Sequence, residues 1–323
     1  MSKAGYIGVS DKARKIKKMY VGVNGVARQV KKAYVGDAYN KARLWYTARY
    51  FEYTGNYTEQ KITIDGKAYI LYTLTSSGTL NCSEAQYWMC GGGAGGQTGY
   101  LYYDKRYLTA GGGGGGGYAV SGSVSGKKIV VIGAGGESDK NGGSTSCGDN
   151  SALGGYCATG TKGSSGGNGG SGGGAPVYVS VSNSGWGNHN GGTGAGVSTY
   201  PFGIESLFAH CAGGSAGVTK YKYTSGDGFE GGSNGGNGGG TSSSSITHTG
   251  TPGVGGEKGG GTGGKIPGYG GDATLINGMD ATFFGSGAGG AGAYYYQEDS
   301  TSNKFGKGGT GYQGVMYVLQ EAA

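Results

Sequence analysis

The sequence predicts an all-β fold, and three observations lead to that prediction. Aromatic residues are plentiful, with 27 Tyr, 7 Phe and 3 Trp, whereas disordered glycine-rich chains are poor in aromatics. Only four prolines are present. Short β-branched and aromatic segments recur between Asn-Gly, Asp-Gly and longer glycine stretches, which is the pattern of strands joined by tight turns. We expect a small N-terminal β region built from repeats, followed by a β-sandwich-like domain with packed glycine-rich tracts.

The first 46 residues contain a repeat of fourteen residues, marked by Tyr-Ile-Gly or Tyr-Val-Gly triplets and by Ala-Arg pairs, of which the last comes one residue late. Asn24-Gly25 lies between valines and predicts a hairpin, because a type I′ turn needs positive φ at both central positions. So small a block cannot bury enough surface alone, and residues 1–46 are therefore predicted to attach or oligomerise the chain. The candidate attachment residues are Tyr6, Tyr20, Tyr34, Arg14, Arg28, Arg43 and Trp45.

Charge divides the chain unevenly. Residues 1–50 carry twelve Lys and Arg against Asp11 and Asp37, whereas the remainder carries fourteen against seventeen acidic residues. Such a basic end invites a nucleic-acid interpretation. The basic residues recur in phase with the strand pattern, however. This favours a structural role, in which Lys and Arg occupy the solvent-facing side and the edges of a small sheet and prevent its aggregation.

Residues 47–90 are predicted to form a second β module, and residues 91–323 a glycine-rich distal domain. Within the module, the Asp65-Gly66 turn joins two alternating segments, and a further strand over 85–90 runs directly into Gly91. Short apolar segments, among them 128–132, 176–181 and 280–284, alternate with glycine tracts beyond it. The closing segment 314–319 predicts a strand that ties the chain ends together as one β unit.

Glycine supplies 82 of the 323 residues, far above the usual ~7%, so the tracts need an explanation. Extended threefold helices have no internal hydrogen bonds, and every N–H and C=O must then find a partner on a neighbouring tract. Side chains would block that approach, which favours ordered polyglycine II-type packing over flexible Gly/Ser linkers. Collagen is excluded because the three-residue period is never sustained and proline is scarce.

Catalysis and cofactor binding are not predicted. Residues 91–96 satisfy the G-x-G-x-x-G pattern, but no amphipathic helix follows to hold a dinucleotide phosphate. No Gly-Lys pair precedes Ser or Thr, and the three histidines are isolated from carboxylates at ligand spacing. We expect no enzyme activity, no metal and no cofactor. The five cysteines (Cys82, Cys90, Cys147, Cys157 and Cys211) and the absence of a visible secretory signal or membrane span predict reduced thiols and synthesis in the cytoplasm.

Aromatic residues within glycine loops are the candidates for binding. Tyr, Ser, Gly and Asn mixtures provide rigid contact area and adaptable hydrogen bonds, as in antibody loops. Either sugars or protein surfaces would suit them, and the same rings would also serve to cap the ends of the glycine tracts. The candidate binding residues are Trp186, Asn188, His189, Tyr200, Phe202, Tyr221, Tyr223, Tyr294, Tyr295 and Tyr296.

The chain resembles the tail-tip and tail-fibre glycine-rich adhesins of phages and prophages. The resemblance rests on the basic Tyr-Val-Gly-Val-Asn-Gly-Val-Ala-Arg repeat that ends in Leu44-Trp45-Tyr46, on Tyr87-Trp88-Met89-Cys90 leading into Gly91-Gly92-Gly93, and on the closing segment 311–318. It covers nearly the whole chain but includes no known binding residue.

The resemblance implies a receptor-binding protein, expected to be a homotrimer, in the tail of a virion or of a phage-tail-like bacteriocin. Residues 1–46 would then dock the chain onto other tail or baseplate proteins, and the glycine-rich part would bind a glycan or protein of the host surface. The alternatives are a purely structural virion or filament protein and, less favoured, a nucleic-acid-binding N-terminal module. Membrane insertion is not expected.

Overall fold

The computed structural model describes residues 6–9, 12–15, 19–30, 32–36, 42–47, 49–102, 107–158, 166–174, 177–180, 186–188, 192–195, 199–217, 219–221, 224–226, 260–261, 277–295 and 304–322. Within these ranges the fold is all-β, as predicted: it contains strands and two single 3-10 turns, Pro201–Gly203 and Glu205–Leu207, but no α-helix. The strands are β1 (Tyr6–Val9), β2 (Lys12–Lys15), β3 (Tyr20–Val23), β4 (Val26–Gln29), β5 (Lys32–Gly36), β6 (Ala42–Thr47), β7 (Phe51–Tyr53), β8 (Tyr57–Ile64), β9 (Lys67–Leu74), β10 (Gly78–Cys90), β11 (Tyr100–Tyr102), β12 (Tyr107–Thr109), β13 (Ala119–Val131), β14 (Thr145–Cys147), β15 (Asn150–Ala152), β16 (Val177–Ser180), β17 (Trp186–Asn188), β18 (Thr219–Tyr221), β19 (Thr224–Gly226), β20 (Ala293–Tyr295), β21 (Lys304–Phe305) and β22 (Val315–Glu321).

The N-terminal repeat forms three separate hairpins, β1–β2, β3–β4 and β5–β6. Each hairpin places the glycine of its Tyr-Ile/Val-Gly triplet opposite an alanine and the preceding Ile or Val opposite an arginine. In the third hairpin the Ala-Arg pair comes one residue later in the sequence, and Gly36 still pairs with Ala42 and Val35 with Arg43. The register of this hairpin shifts between Ala33 and Tyr34. Positive φ at Asn24 and Gly25 (53° and 77°) confirms the predicted tight turn.

An eight-stranded sheet forms the largest β element, in the order β15-β14-β13-β10-β22-β9-β8, with β7 also paired to β10. The predicted Asp65-Gly66 turn joins β8 to β9, with φ of 49° and 72°. The closing strand β22 lies between β9 and β10, which confirms that the end of the chain is tied into the module that precedes the glycine tracts. The sheet draws strands from both sides of residue 90, where the sequence pattern placed a boundary.

Alternate residues of β22 supply the two hydrophobic clusters of this sheet. Met316 and Val318 belong to one cluster with Leu74, Leu80 and Met89. Val315, Tyr317 and Leu319 belong to the other, which also holds Leu71, Trp88, Cys90 and Cys211. This period of two is the one expected of a strand that is covered on both faces.

The glycine tract 91–99 donates its backbone hydrogen bonds to three neighbours in strict rotation. Residues 91, 94 and 97 donate to 118, 115 and 112; residues 92 and 95 donate to 143 and 140; residues 93, 96 and 99 donate to 312, 309 and 306. A step of three residues per neighbour is the period of an extended threefold helix. The polyglycine II conformation itself stays a prediction, whereas the pairing between tracts is observed.

The tract 110–118 is surrounded by six neighbouring segments. Its N–H groups donate to 285–291, 171–174 and 153–156, while its carbonyls accept from 91–97, 167–170 and 214–217. Residues 110–117 are buried, so nearly every partner of this backbone is another backbone group. The buried polar groups that such a stretch would otherwise leave unpaired are thereby satisfied.

Most glycines of these tracts have no room for a side chain. A Cβ built on Gly111 would lie 1.8 Å from the carbonyl oxygen of Gln97, and one on Gly290 would lie 2.0 Å from that of Gly111. Ala94, Ala288 and Ala291 mark the positions where one methyl group is accommodated, each fully buried. Glycine is therefore required at most positions by close contact between backbones.

Candidate functional site

The pairing of the large sheet continues without a register shift through the glycine tracts. Beyond Cys90↔Ala119, the hydrogen bonds of residues 91–97 with 112–118 follow the same register, which then passes into Tyr100↔Thr109 of β11–β12. The pairing of β10 with β22 extends likewise along residues 93–99 and 306–312. The tracts therefore act as a continuation of two strand ladders.

Two further sheets lie where these ladders end, and we call them the distal sheets. One has the order β11-β12-β16-β17 and the other the order β19-β18-β20-β21. Strand β12 of the first sheet lies beside β18 and β20 of the second, and strand β16 lies beside β18 and β19. Eight residue steps of the tract, from 91 to 99, lie between the large sheet and the first distal sheet, and extended backbone of that length spans at most about 29 Å.

Cross-strand pairing in the first distal sheet divides its residues into an apolar row and a row that contains tyrosines. Leu101, Leu108, Val179 and Trp186 are successive cross-strand partners and form an apolar row in the register. Tyr100, Thr109 and Tyr178 are likewise successive partners and form a tyrosine-containing row. Trp186 thus stands in the apolar row, while the tyrosine row was missed by the sequence analysis. Its signal was the alternation of Tyr with Leu or Val in the strands that flank the tracts.

The second distal sheet brings three of the predicted binding tyrosines together. Tyr221 pairs with Tyr295 across the parallel β18–β20 pair, and Lys220 pairs with Tyr294. Tyr294 in turn pairs with Lys304 on β21. A lysine–tyrosine–lysine row of cross-strand partners therefore extends over three strands. Asn188 lies on β17 of the first sheet, whereas His189, Tyr223 and Tyr296 lie outside the described residues.

The remaining two binding candidates are located elsewhere. Phe202 packs against the cluster of Trp88 and Tyr317 on the large sheet, at the opposite end of the glycine tracts from the distal sheets. Tyr200 precedes it and is half-buried. Leu207 and Phe284 pack against the same cluster, and we call these residues, together with Phe202 and His210, the covering of the large sheet.

His210 is the buried polar centre of that covering. Its Nδ1 lies 3.0 Å from the carbonyl oxygen of Phe208 and its Nε2 lies 2.9 Å from the hydroxyl of Tyr317. Trp88 and Phe283 pack against the imidazole, with ring centroids 5.1 and 4.8 Å away. Burial lowers the pKa of His210 from 6.5 to about 4, opposed by its hydrogen bond with Phe208, so the ring is neutral at pH 7. The predicted apolar segment 280–284 supplies Phe283 and Phe284 to this site but forms no strand.

The cysteines are free thiols, and four of the five are buried. Burial raises the pKa of Cys82 to about 11 and that of Cys157 to about 12, which makes them poor nucleophiles at neutral pH. Within the part of the chain that the structure describes, no group of three His, Cys, Asp or Glu residues is arranged to hold a metal ion. Over the same residues, no helix is long and apolar enough to cross a membrane.

The candidate attachment residues lie on the three hairpins. Tyr20 and Tyr34 are 55% and 58% exposed, and Arg28 is also exposed. Val21 and Val26 of the second hairpin are exposed as well. Tyr6, Arg14, Arg43 and Trp45 occupy strand positions, with Trp45 beside the register shift of the third hairpin. The described strands β1–β6 pair only within their own hairpins.

The chain was compared with known proteins. No protein-family model matches it, and a search of curated proteins found no match.

Proposed function

We propose that this chain is a structural tail or tail-tip protein of a phage or a phage-tail-like bacteriocin, and that it binds the host bacterial surface. The observation that carries the proposal is the uninterrupted pairing from the large sheet through the glycine tracts to the distal sheets. A cross-linked array of polyglycine II-type tracts would be stiff, because each backbone is held by neighbours on several sides. It would present the distal sheets at a fixed distance from the large sheet.

The distal sheets have the composition of a binding surface. Their tyrosine row and their lysine–tyrosine–lysine row combine aromatic area with hydroxyl and ammonium donors, and tyrosine is enriched in protein-binding surfaces. We propose that Tyr294 and its neighbours contact the receptor. Trp186 is a cross-strand partner of Val179 in the first distal sheet, and we propose that it also belongs to the binding surface.

The hairpins are proposed to attach the chain to the particle, with a homotrimer as the expected assembly. Exposed Tyr20, Val21, Val26 and Tyr34 leave apolar surface on hairpins whose described strands pair only with each other. A partner subunit or another tail protein would cover that surface, since an isolated two-stranded hairpin is marginally stable in water.

Cell binding by the purified full-length chain tests the proposal. We expect Tyr294→Ala and Lys220→Ala to reduce binding to host cells at least tenfold without changing the melting temperature or particle assembly. Tyr156→Ala is the matched control, because Tyr156 is an exposed tyrosine on the flank of the glycine tracts. Its binding should equal that of wild type.

A different result would favour the purely structural alternative. If the wild-type chain and its particles do not bind host cells, or if Tyr294→Ala disrupts assembly while leaving adsorption intact, the receptor-binding role is wrong.

A further inference from the structure

A groove crosses the face of the large sheet beside the covering that contains His210. On this face two neighbouring rows of side chains run across the strands. The first row contains Thr73, Tyr317, Trp88 and Ser121, and the second contains Leu71, Leu319, Gln86 and Ser123. The groove follows the second row.

The covering buries Trp88 and Tyr317 in the middle of the first row, whereas Ser121 at the end of that row is exposed and lines the groove. His210, Phe202 and Leu207 pack over Trp88 and Tyr317, which are only 4% and 7% exposed. In the second row, Gln86 and Ser123 are exposed, whereas Leu71 and Leu319 are buried. The row therefore presents an amide and a hydroxyl group to solvent.

Two depressions meet at this row and form one groove. One, of about 290 Å³, is lined by Lys67, Tyr69 and Glu84 among others, and the other, of about 390 Å³, ends at Phe202. Gln86 and Ser123 line both, so the depressions adjoin. Their combined volume lies within the range of about 300–1,000 Å³ that is typical of small-ligand sites.

The charges of the groove nearly cancel. Lys67 faces the same depression as Glu84 and Glu321, and Glu321 is already paired with Arg49, whose Nη2 lies 2.8 Å from Oε2. No excess of positive charge is present to hold a phosphate or a nucleic acid. The carboxylate, amide and hydroxyl groups instead provide many hydrogen-bond donors and acceptors within a short distance.

We propose that this groove binds a neutral saccharide unit. A sugar ring has a C–H face, which suits the half-buried rings of Tyr69 and Phe202 that line the two depressions, and a hydroxyl edge, which suits Gln86, Ser123 and Glu84. The inference rests on the proposed function for the source of the sugar, a glycan of the host surface. It adds a second contact site that lies on the large sheet, away from the distal sheets.

Saturation-transfer NMR on the full-length chain tests the groove with a panel of neutral sugars: glucose, galactose, rhamnose, N-acetylglucosamine and N-acetylgalactosamine. We expect at least one of them to bind, with Gln86→Ala weakening it at least fivefold and Ser123→Trp abolishing it by filling the groove. Ser151→Trp is the control, because Ser151 is an exposed serine on β15 of the same sheet. It should leave binding unchanged.

The outcomes separate this inference from the proposed function. The groove proposal is overturned if no neutral sugar of the panel binds, if glucuronate or glucose 6-phosphate is preferred, or if Ser123→Trp retains binding. Cell binding by the wild-type chain in any of these cases would leave the distal-sheet proposal standing. Sugar binding without any cell binding would contradict the proposed function and leave the groove intact.

Discussion

Replacing Gly113 by alanine places a methyl group where two backbones meet. A Cβ on Gly113 would lie 1.9 Å from the carbonyl oxygen of Gly214, so the two tracts must separate by more than about 1 Å to reach an ordinary contact distance. Gly113 also donates to the carbonyl of Gly174 and accepts from the N–H of Gly167, both at 3.0 Å. Separation strains or breaks these hydrogen bonds.

The expected cost follows from those two effects. Overpacking of a filled interior costs about 1–3 kcal/mol, and each weakened hydrogen bond about 1 kcal/mol. Gly113→Ala should therefore lower the free energy of unfolding by about 3–5 kcal/mol. For a chain of this size the melting temperature should fall by roughly 4–7 °C.

Calorimetry or circular-dichroism melting of the full chain measures the effect. Gly22→Ala is the control, because Gly22 lies on an exposed hairpin strand and a Cβ there has nothing within 4 Å. It should change the free energy of unfolding by less than about 0.5 kcal/mol. Equal melting temperatures for Gly113→Ala, Gly22→Ala and wild type would refute the close-packed arrangement of the tracts.

Three further predictions concern described residues elsewhere. The folded-state pKa of His210, about 4, lies below its unfolded value of 6.5, so the unfolded chain takes up the proton first on acidification. The neutral, buried His210 contributes about 3 kcal/mol to the free energy of unfolding above pH 6.5, and this contribution is lost toward pH 4. Urea unfolding at pH 7 and 4.5 should show this loss in wild type and not in His210→Gln. An equal pH dependence of the two proteins would contradict the buried neutral state of the ring. Cys82 and Cys157 should resist iodoacetamide at pH 8 in the folded chain and react in urea, as mass spectrometry will show; rapid labelling of the folded chain would oppose the raised pKa values. Gly66→Ala, at φ 72°, should destabilise the β8–β9 hairpin by about 1 kcal/mol, and an unchanged denaturation midpoint would argue against that turn.

Local chemistry explains which parts of the fold could be predicted. Asn24-Gly25 and Asp65-Gly66 specify tight turns through their own φ preferences, and the alternating segment around Tyr317 specifies a strand that is covered on both faces. These signals lie within a few residues of one another in the sequence. They needed no knowledge of the rest of the chain.

The arrangement of the glycine tracts could not be read in this way. Glycines carry no side chain that distinguishes one neighbour from another, so nothing local shows that residues 91–99 lie between 112–118 and 306–312. The need for ordered pairing was predicted from the unsatisfied backbone groups. The partners were supplied only by the structure.

The candidate site was predicted in part. Tyr221 does come together with Tyr294 and Tyr295 on one distal sheet, although it lies more than seventy residues before them in the sequence. Phe202 was grouped with them because its sequence surroundings are also rich in aromatic residues and glycine. The chain returns to the large sheet before that residue, however, and Phe202 packs there. His210 was set aside because it has no ligand-spaced neighbours, and its partner Tyr317 is distant in sequence.

Amide hydrogen exchange tests the central claim, the pairing of glycine tracts by their own backbones. Peptides from residues 91–99 and 110–118 should keep their amide hydrogens for hours in the full-length chain, because nearly every N–H there donates to another tract. Peptides from the exposed hairpin 20–29 should exchange far sooner in the same sample. Complete exchange of the glycine tracts within seconds would contradict the account.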